Sequence, residues 1–158
     1  MRDFLTQMSY DAWVLPALLL IPLAGALLLL VMGSLSSDDG TLEAAPSARM
    51  IAFVVFVLEF IVSVGLWWSF DPSRAGWQAM VDMAWIPAWG VRFSIAIDGL
   101  SLMLVLLTTL TMPLAVLGGW TSVKAKVHTY LALLLILTTG MLGVFLARDL
   151  FLFYVMWE

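Results

Sequence analysis

Ala12-Trp-Val-Leu-Pro-Ala-Leu-Leu-Leu-Ile-Pro-Leu-Ala-Gly-Ala-Leu-Leu-Leu-Leu-Val-Met32 contains no charged side chain. A helix needs about 20 such residues to cross a hydrocarbon layer of roughly 30 Å. Pro16 and Pro22 interrupt the run, and a membrane helix accommodates prolines where its neighbours satisfy the freed carbonyls. A secretory signal would begin basic and end in a small-residue cleavage site. Here the lead-in sets Arg2 against Asp3 and Asp11. The run therefore reads as a retained transmembrane helix.

Further spans follow. Ser34 to Arg49 is polar and includes Ser36-Ser37-Asp38-Asp39-Gly40, a chain break between spans. Met50 to Phe70 is apolar apart from Glu59 and ends on Trp67 and Trp68, aromatics of the kind found at membrane interfaces. Leu100 to Gly119 follows Asp98-Gly99 and contains Pro113, where a kink is expected. Val127 to Ala147 leads through Arg148-Asp149 into Leu150-Phe-Leu-Phe-Tyr-Val-Met-Trp157. Between the second and third spans, Val91, Phe93, Ile95 and Ile97 alternate with polar or small residues, as do Val81, Met83 and Trp85. That period of two, around Pro87 and Gly90, predicts a half-buried β-hairpin over about 80–97. The fold class is an all-α polytopic membrane protein. Four complete helices (about 12–32, 50–70, 100–119 and 127–147) precede the start of a fifth (150–158), with the hairpin between helices two and three.

Composition agrees. Apolar residues make up 63% of the chain and charged residues 11%, with a mean hydropathy of +1.06; soluble domains carry roughly 45–50% and 25%. Seven scattered Lys and Arg argue against nucleic acid as a partner. Without cysteine and with His128 alone, the chain lacks the residues that hold iron–sulfur clusters, haem or copper, and no metal or cofactor site is expected. Loop charge does not orient it: with the N-terminus outside, Arg49, Lys124 and Lys126 fall inside and Arg2, Arg74, Arg92 and Arg148 outside. The close pair Lys124 and Lys126 leans towards the inner face.

Intramembrane carboxylates are the informative residues. A charge in hydrocarbon costs at least ~2.5–3.5 kcal/mol unless it faces a polar interior, finds a partner or takes up a proton. From Asp149 to Glu158 helix rise is about 13.5 Å, half of a ~30 Å layer. As written, the sequence stops with carboxylates near the bilayer centre, so it is expected to be the N-terminal part of a longer protein, cut inside its fifth helix. Glu158 reads as a proton-relay residue, against the alternative of a helix boundary reaching water. Glu59, ten positions into its helix, is a secondary candidate, equally readable as a structural group bonding to a partner subunit. Asp98 and Asp149 are expected to cap the helices they precede. Ser101, Thr108 and Thr111 are expected on one face of helix three, bridging helices, and Gly140, Gly143 and Ala147 to permit close packing. His128, near two lysines, is expected at the interface, as is Arg148.

Two stretches carry a resemblance: Trp85-Ile86-Pro87 with Phe93-Ser-Ile-Ala-Ile-Asp98-Gly99-Leu100-Ser101, and Gly140-Met-Leu-Gly-Val-Phe-Leu-Ala-Arg-Asp149-Leu-Phe-Leu-Phe-Tyr-Val-Met-Trp-Glu158. They resemble the hairpin, third-helix start and fourth and fifth helices of the antiporter-like M subunits of proton-translocating NADH:quinone oxidoreductase (respiratory complex I, NDH-1), over roughly residues 85–158. The resemblance implies that Glu158 is a principal proton-translocation residue, paired with a lysine on a later helix, and it assigns nothing to Glu59. It implies a membrane-arm subunit beside other antiporter-like subunits in a bacterial inner membrane, with the hairpin and N-terminus periplasmic. NAD, FMN, iron–sulfur clusters and quinone would belong to other subunits. Multi-subunit cation/proton antiporters and membrane-bound hydrogenases share the ancestral fold and stand as the alternative, as does a truncated structural membrane protein without transport activity.

Overall fold

The computed structural model describes residue 5 and residues 8–35 and 46–158. Arg2, Asp3 and the predicted loop residues Ser36 to Gly40 lie outside these. Helix α1 spans Tyr10–Leu35 and α2 spans Pro46–Ser69. Strands β1 (Gln78–Ile86) and β2 (Val91–Ile97) follow, then α3 (Gly99–Gly118), α4 (Val127–Leu146) and α5 (Leu150–Trp157). Helices α1 to α4 are each long and apolar enough to cross a membrane, and the chain is a polytopic membrane protein.

Helix α2 begins three residues before Arg49, where a loop was expected. Pro46 opens it, the position at which the missing amide costs nothing and the fixed φ suits a helix. Helix α1 runs through Pro16 and Pro22, and α3 through Pro113. The outward faces are apolar too: Leu20, Leu27, Ile61, Leu107 and Leu133 are exposed. A helix apolar all round suits lipid on one side and neighbouring helices on the other.

The hairpin pairs Val81 with Ile95 and Met83 with Phe93 in antiparallel register. A short 3-10 turn, Pro87–Trp89, reverses the chain, and Gly90 closes it at φ 69°, a left-handed conformation that glycine takes at little cost. The alternation misleads in part. Ser94 and Ala96 are buried along with Ile95 and Ile97, whereas Met83 and Trp85 on β1 are exposed. The cause is a second neighbour for β2: Ile95 bridges to Ala147, and the Arg148 amide donates to the Ser94 carbonyl at 2.9 Å. β2 is thus covered on two sides while β1 forms an open edge.

Packing divides into two apolar clusters. Toward the hairpin, Leu15, Leu18, Leu66, Ile97, Leu102 and Leu142 pack together. Toward the other end, Leu29, Ala52, Phe56, Val116, Leu131 and Leu135 do so. On each of the four long helices the stretch between the clusters is marked. It holds Pro22 and Gly25 on α1, Glu59 and Ser63 on α2, Thr108, Thr109 and Pro113 on α3, and Thr138 and Thr139 on α4. The carboxyl and hydroxyl groups named in that layer are buried.

Candidate functional site

Asp149 places the last helix. Its Oδ1 accepts from the amides of Phe151 (2.9 Å) and Leu152 (3.2 Å), satisfying two of the donors a helix start leaves open. Its Oδ2 accepts from the Arg92 amide at 3.3 Å. One carboxylate therefore caps α5 and ties it to β2. The bond from the Leu152 amide, with those from Arg92 and Phe151, holds the Asp149 carboxyl below its ordinary range. Asp98 caps α3 in a reciprocal box: its Oδ1 accepts from the Ser101 amide at 2.7 Å, while its own amide donates to Ser101 Oγ at 3.1 Å. The Ser101 hydroxyl, foremost, depresses the Asp98 carboxyl. Asp82 is lowered chiefly by its bond to Arg92, Nε to Oδ1 at 2.8 Å, on the exposed hairpin.

Glycines on α4 let α5 lie close. A Cβ on Gly143 would fall 2.5 Å from Met156 Sδ, and one on Gly140 would fall 3.1 Å from the Met156 carbonyl oxygen. Two residues beyond Met156 stands Glu158, the C-cap of α5, whose amide donates to the Tyr154 carbonyl at 3.2 Å. It lines a cavity of about 640 Å³ with Leu23, Ile136, Thr139, Gly140 and Val155. Glu158 is exposed, and its side chain makes no hydrogen bond or ion pair among the described residues.

Glu59 is fully buried, and neither carboxyl oxygen has a hydrogen-bond partner among the described residues. It faces the interior of this chain's own helices. Of the structural roles open to it, a bond to a partner subunit does not suit this burial. Nearby, Ser63 Oγ and Thr109 Oγ1 are 2.7 Å apart, a hydrogen bond between α2 and α3.

Other expectations are revised. Ser101 caps its own helix and, among the described residues, bridges no other; Thr111 is exposed and bonds to the Leu107 carbonyl at 2.9 Å. The bridging hydroxyls are Ser63 and Thr109, whose mid-helix depth in two apolar runs was the available signal. His128 is buried, at 7% exposure, against Gly33 of α1, and its Nδ1 has no partner among the described residues. His128 is the second residue of α4, at the end of the span as expected, and it is covered there because α1 extends past Met32. Arg148 lies over the Trp77 ring, 5.1 Å from its centre. Among the described residues no cluster of metal-ligating side chains occurs.

No protein-family model matches the chain. Curated proteins do. NADH-quinone oxidoreductase subunit M of Rhodobacter capsulatus is 38% identical over 138 residues, covering 87% of this chain and 26% of that protein. Subunit M of Escherichia coli K12 is 40% identical over 116 residues, 70% of this chain and 23% of that protein. NADH-ubiquinone oxidoreductase chain 4 of Arabidopsis thaliana is 33% identical over 144 residues, 91% of this chain and 28% of that protein. The chain spans about a quarter of the length of the curated relatives it matches. Over most of its residues this membrane protein is homologous to the subunit M and chain 4 proteins of NADH-quinone oxidoreductase.

Proposed function

We propose that this segment belongs to a membrane-arm subunit of NADH:quinone oxidoreductase, and that Glu158 carries protons translocated in step with quinone reduction. The observation that carries the reading is Glu158 itself. It ends the Asp149-to-Glu158 motif, on a helix start fixed by Asp149, beside a cavity between α4 and α5, in a chain 38% identical to a subunit M.

The physical basis is the cost of a lone carboxylate in hydrocarbon. Ionised, Glu158 needs a cation beside it, and the resemblance supplies a lysine on a later helix. When that lysine moves away, the protonated form is favoured. Each pKa unit gained or lost alters proton binding by ~1.36 kcal/mol, so a modest charge movement loads or unloads the site. NADH oxidation, with flavin and iron–sulfur clusters, belongs in this reading to other subunits. The hairpin and N-terminus lie on the periplasmic face of a bacterial inner membrane, and neighbouring antiporter-like subunits flank the helices.

The test is Glu158→Gln in the intact protein within its native membranes. Electron transfer with proton pumping lost is the expected result. An assembled complex that still pumps at the native rate overturns the assignment.

A further inference from the structure

Glu59 has a place in the bundle that relates it to Glu158. A Cβ on Gly25 would touch Val55 on α2 at 3.0 Å and Leu135 on α4 at 3.3 Å. One helical turn on from Val55 is Glu59, and one turn on from Leu135 is Thr139. Glu59 and Thr139 thus lie at one depth on neighbouring helices. Thr139 also lines the cavity that holds Glu158. The Met156 carbonyl marks the depth of Gly140, and α5 runs antiparallel to α4, so Glu158 sits at that same level. The two carboxyls flank α4 at mid-membrane, separated by about the width of a helix, on the order of 10 Å.

Around Glu59 the interior is polar but uncharged: Ser63 on its own helix, Thr109 on α3, and Thr138 and Thr139 on α4, all buried. The titratable groups buried on the packed elements are Tyr10 of α1, whose hydroxyl donates to the Val62 carbonyl, and His128 of α4. His128 lies eleven residues from Thr139, roughly 16 Å along the axis. No cation among the described residues faces Glu59 inside the bundle. A carboxyl without a partner in such a place is costly to keep charged, and the Ser63 hydroxyl lies one helical turn along the same helix.

We propose that Glu59 is a second proton-binding carboxyl, whose charge, felt across α4, sets the point at which Glu158 gives up its proton. This rests on the proton-carrying reading of Glu158. A proton released by the Glu59 carboxyl leaves a negative charge that raises the proton affinity of Glu158; a proton taken up there lowers it. At about 10 Å and an effective dielectric near 20, the coupling is on the order of tenfold in proton affinity.

The experiment measures proton pumping against pH in native membranes for the intact protein and for Glu59→Gln, Glu59→Asp and Glu158→Gln. In Glu59→Gln the pumping limb set by Glu158 should move to lower pH by about one unit, with electron transfer retained. Glu59→Asp, which keeps a carboxyl, should restore the native profile. A purely structural Glu59 would tolerate glutamine, so an unmoved profile overturns the inference. If Glu59→Gln does not accumulate, infrared spectra of the native and Glu59→Asp proteins decide. A changed protonated-carboxyl band supports the inference, and identical bands overturn it. A Glu158→Gln protein that pumps normally defeats the functional reading itself, whereas a silent Glu158→Gln beside an unmoved Glu59→Gln profile defeats this inference alone.

Discussion

Gly143→Ala should loosen α5 from α4, and Met156→Ala should reverse the damage. A methyl at Gly143 would stand 2.5 Å from Met156 Sδ, 2.6 Å from its Cγ and 3.1 Å from its Cβ. Non-bonded heavy atoms prefer about 3.5–4.0 Å, so roughly 1 Å of separation must be found. Turning the thioether about Cγ does not suffice, because Cγ itself would stand 2.6 Å away, and Cβ, at 3.1 Å, follows the backbone of α5 whatever rotamer the side chain takes. Overpacking of this kind costs about 1–3 kcal/mol. Alanine's better helix propensity returns up to ~1 kcal/mol. The net loss should be about 1–2 kcal/mol, read as a lower midpoint in denaturant titration of the protein in detergent micelles. Met156→Ala removes Sδ and Cγ together, so the double variant should show a coupling of about 1–2 kcal/mol in a mutant cycle. Gly118→Ala, where an added Cβ meets nothing within 4 Å, is the control. A Gly143→Ala protein as stable as the control, with no coupling to Met156, would refute the packing derived for α5 and with it the position given to Glu158.

Asp98→Ala should cost about 1 kcal/mol by uncapping α3, and Asp98→Asn, which keeps an acceptor, should cost less. Because folding lowers the Asp98 carboxyl, its contribution is present above the unfolded value of about 3.9 and fades as pH falls through the folded one. Acid titration of stability should therefore flatten in Asp98→Asn, and an unchanged acid limb would count against the box. Ser63→Ala and Thr109→Val each remove one side of the α2–α3 bond. A mutant cycle should give coupling near ~0.6 kcal/mol, the usual scale for such bonds in a bilayer, and zero coupling would mean that the bond does not form.

Much of the fold could be read from the chain because hydrocarbon imposes one requirement: long uncharged runs must satisfy their backbone internally. Ala12 to Met32 needs no partner to be recognised as a span. Helix ends were less legible. Pro46 looked like loop because the polar stretch before Arg49 hid a helix start. Strand burial departs from the alternation because the Ala147–Arg148 segment, which pairs with the second edge of β2, comes some fifty residues later. At the candidate site, Glu158 and the two capping aspartates stood out as charges beside apolar runs. The interior hydroxyls did not, because Ser63, Thr109 and Thr139 are compatible with lipid-facing positions until the helix register is known. The burial of His128 depends on where α1 stops, and no local pattern encodes that.

The double use of Asp149 has a mechanical consequence. The same carboxylate grips the first amides of α5 and the Arg92 amide of β2, while Arg148 is pinned to Ser94 just before it. The hairpin therefore anchors the start of α5, and α5 cannot slide along its axis without breaking bonds to the strand. The depth of Glu158, about two and a half helical turns further on, is thereby set relative to the hairpin.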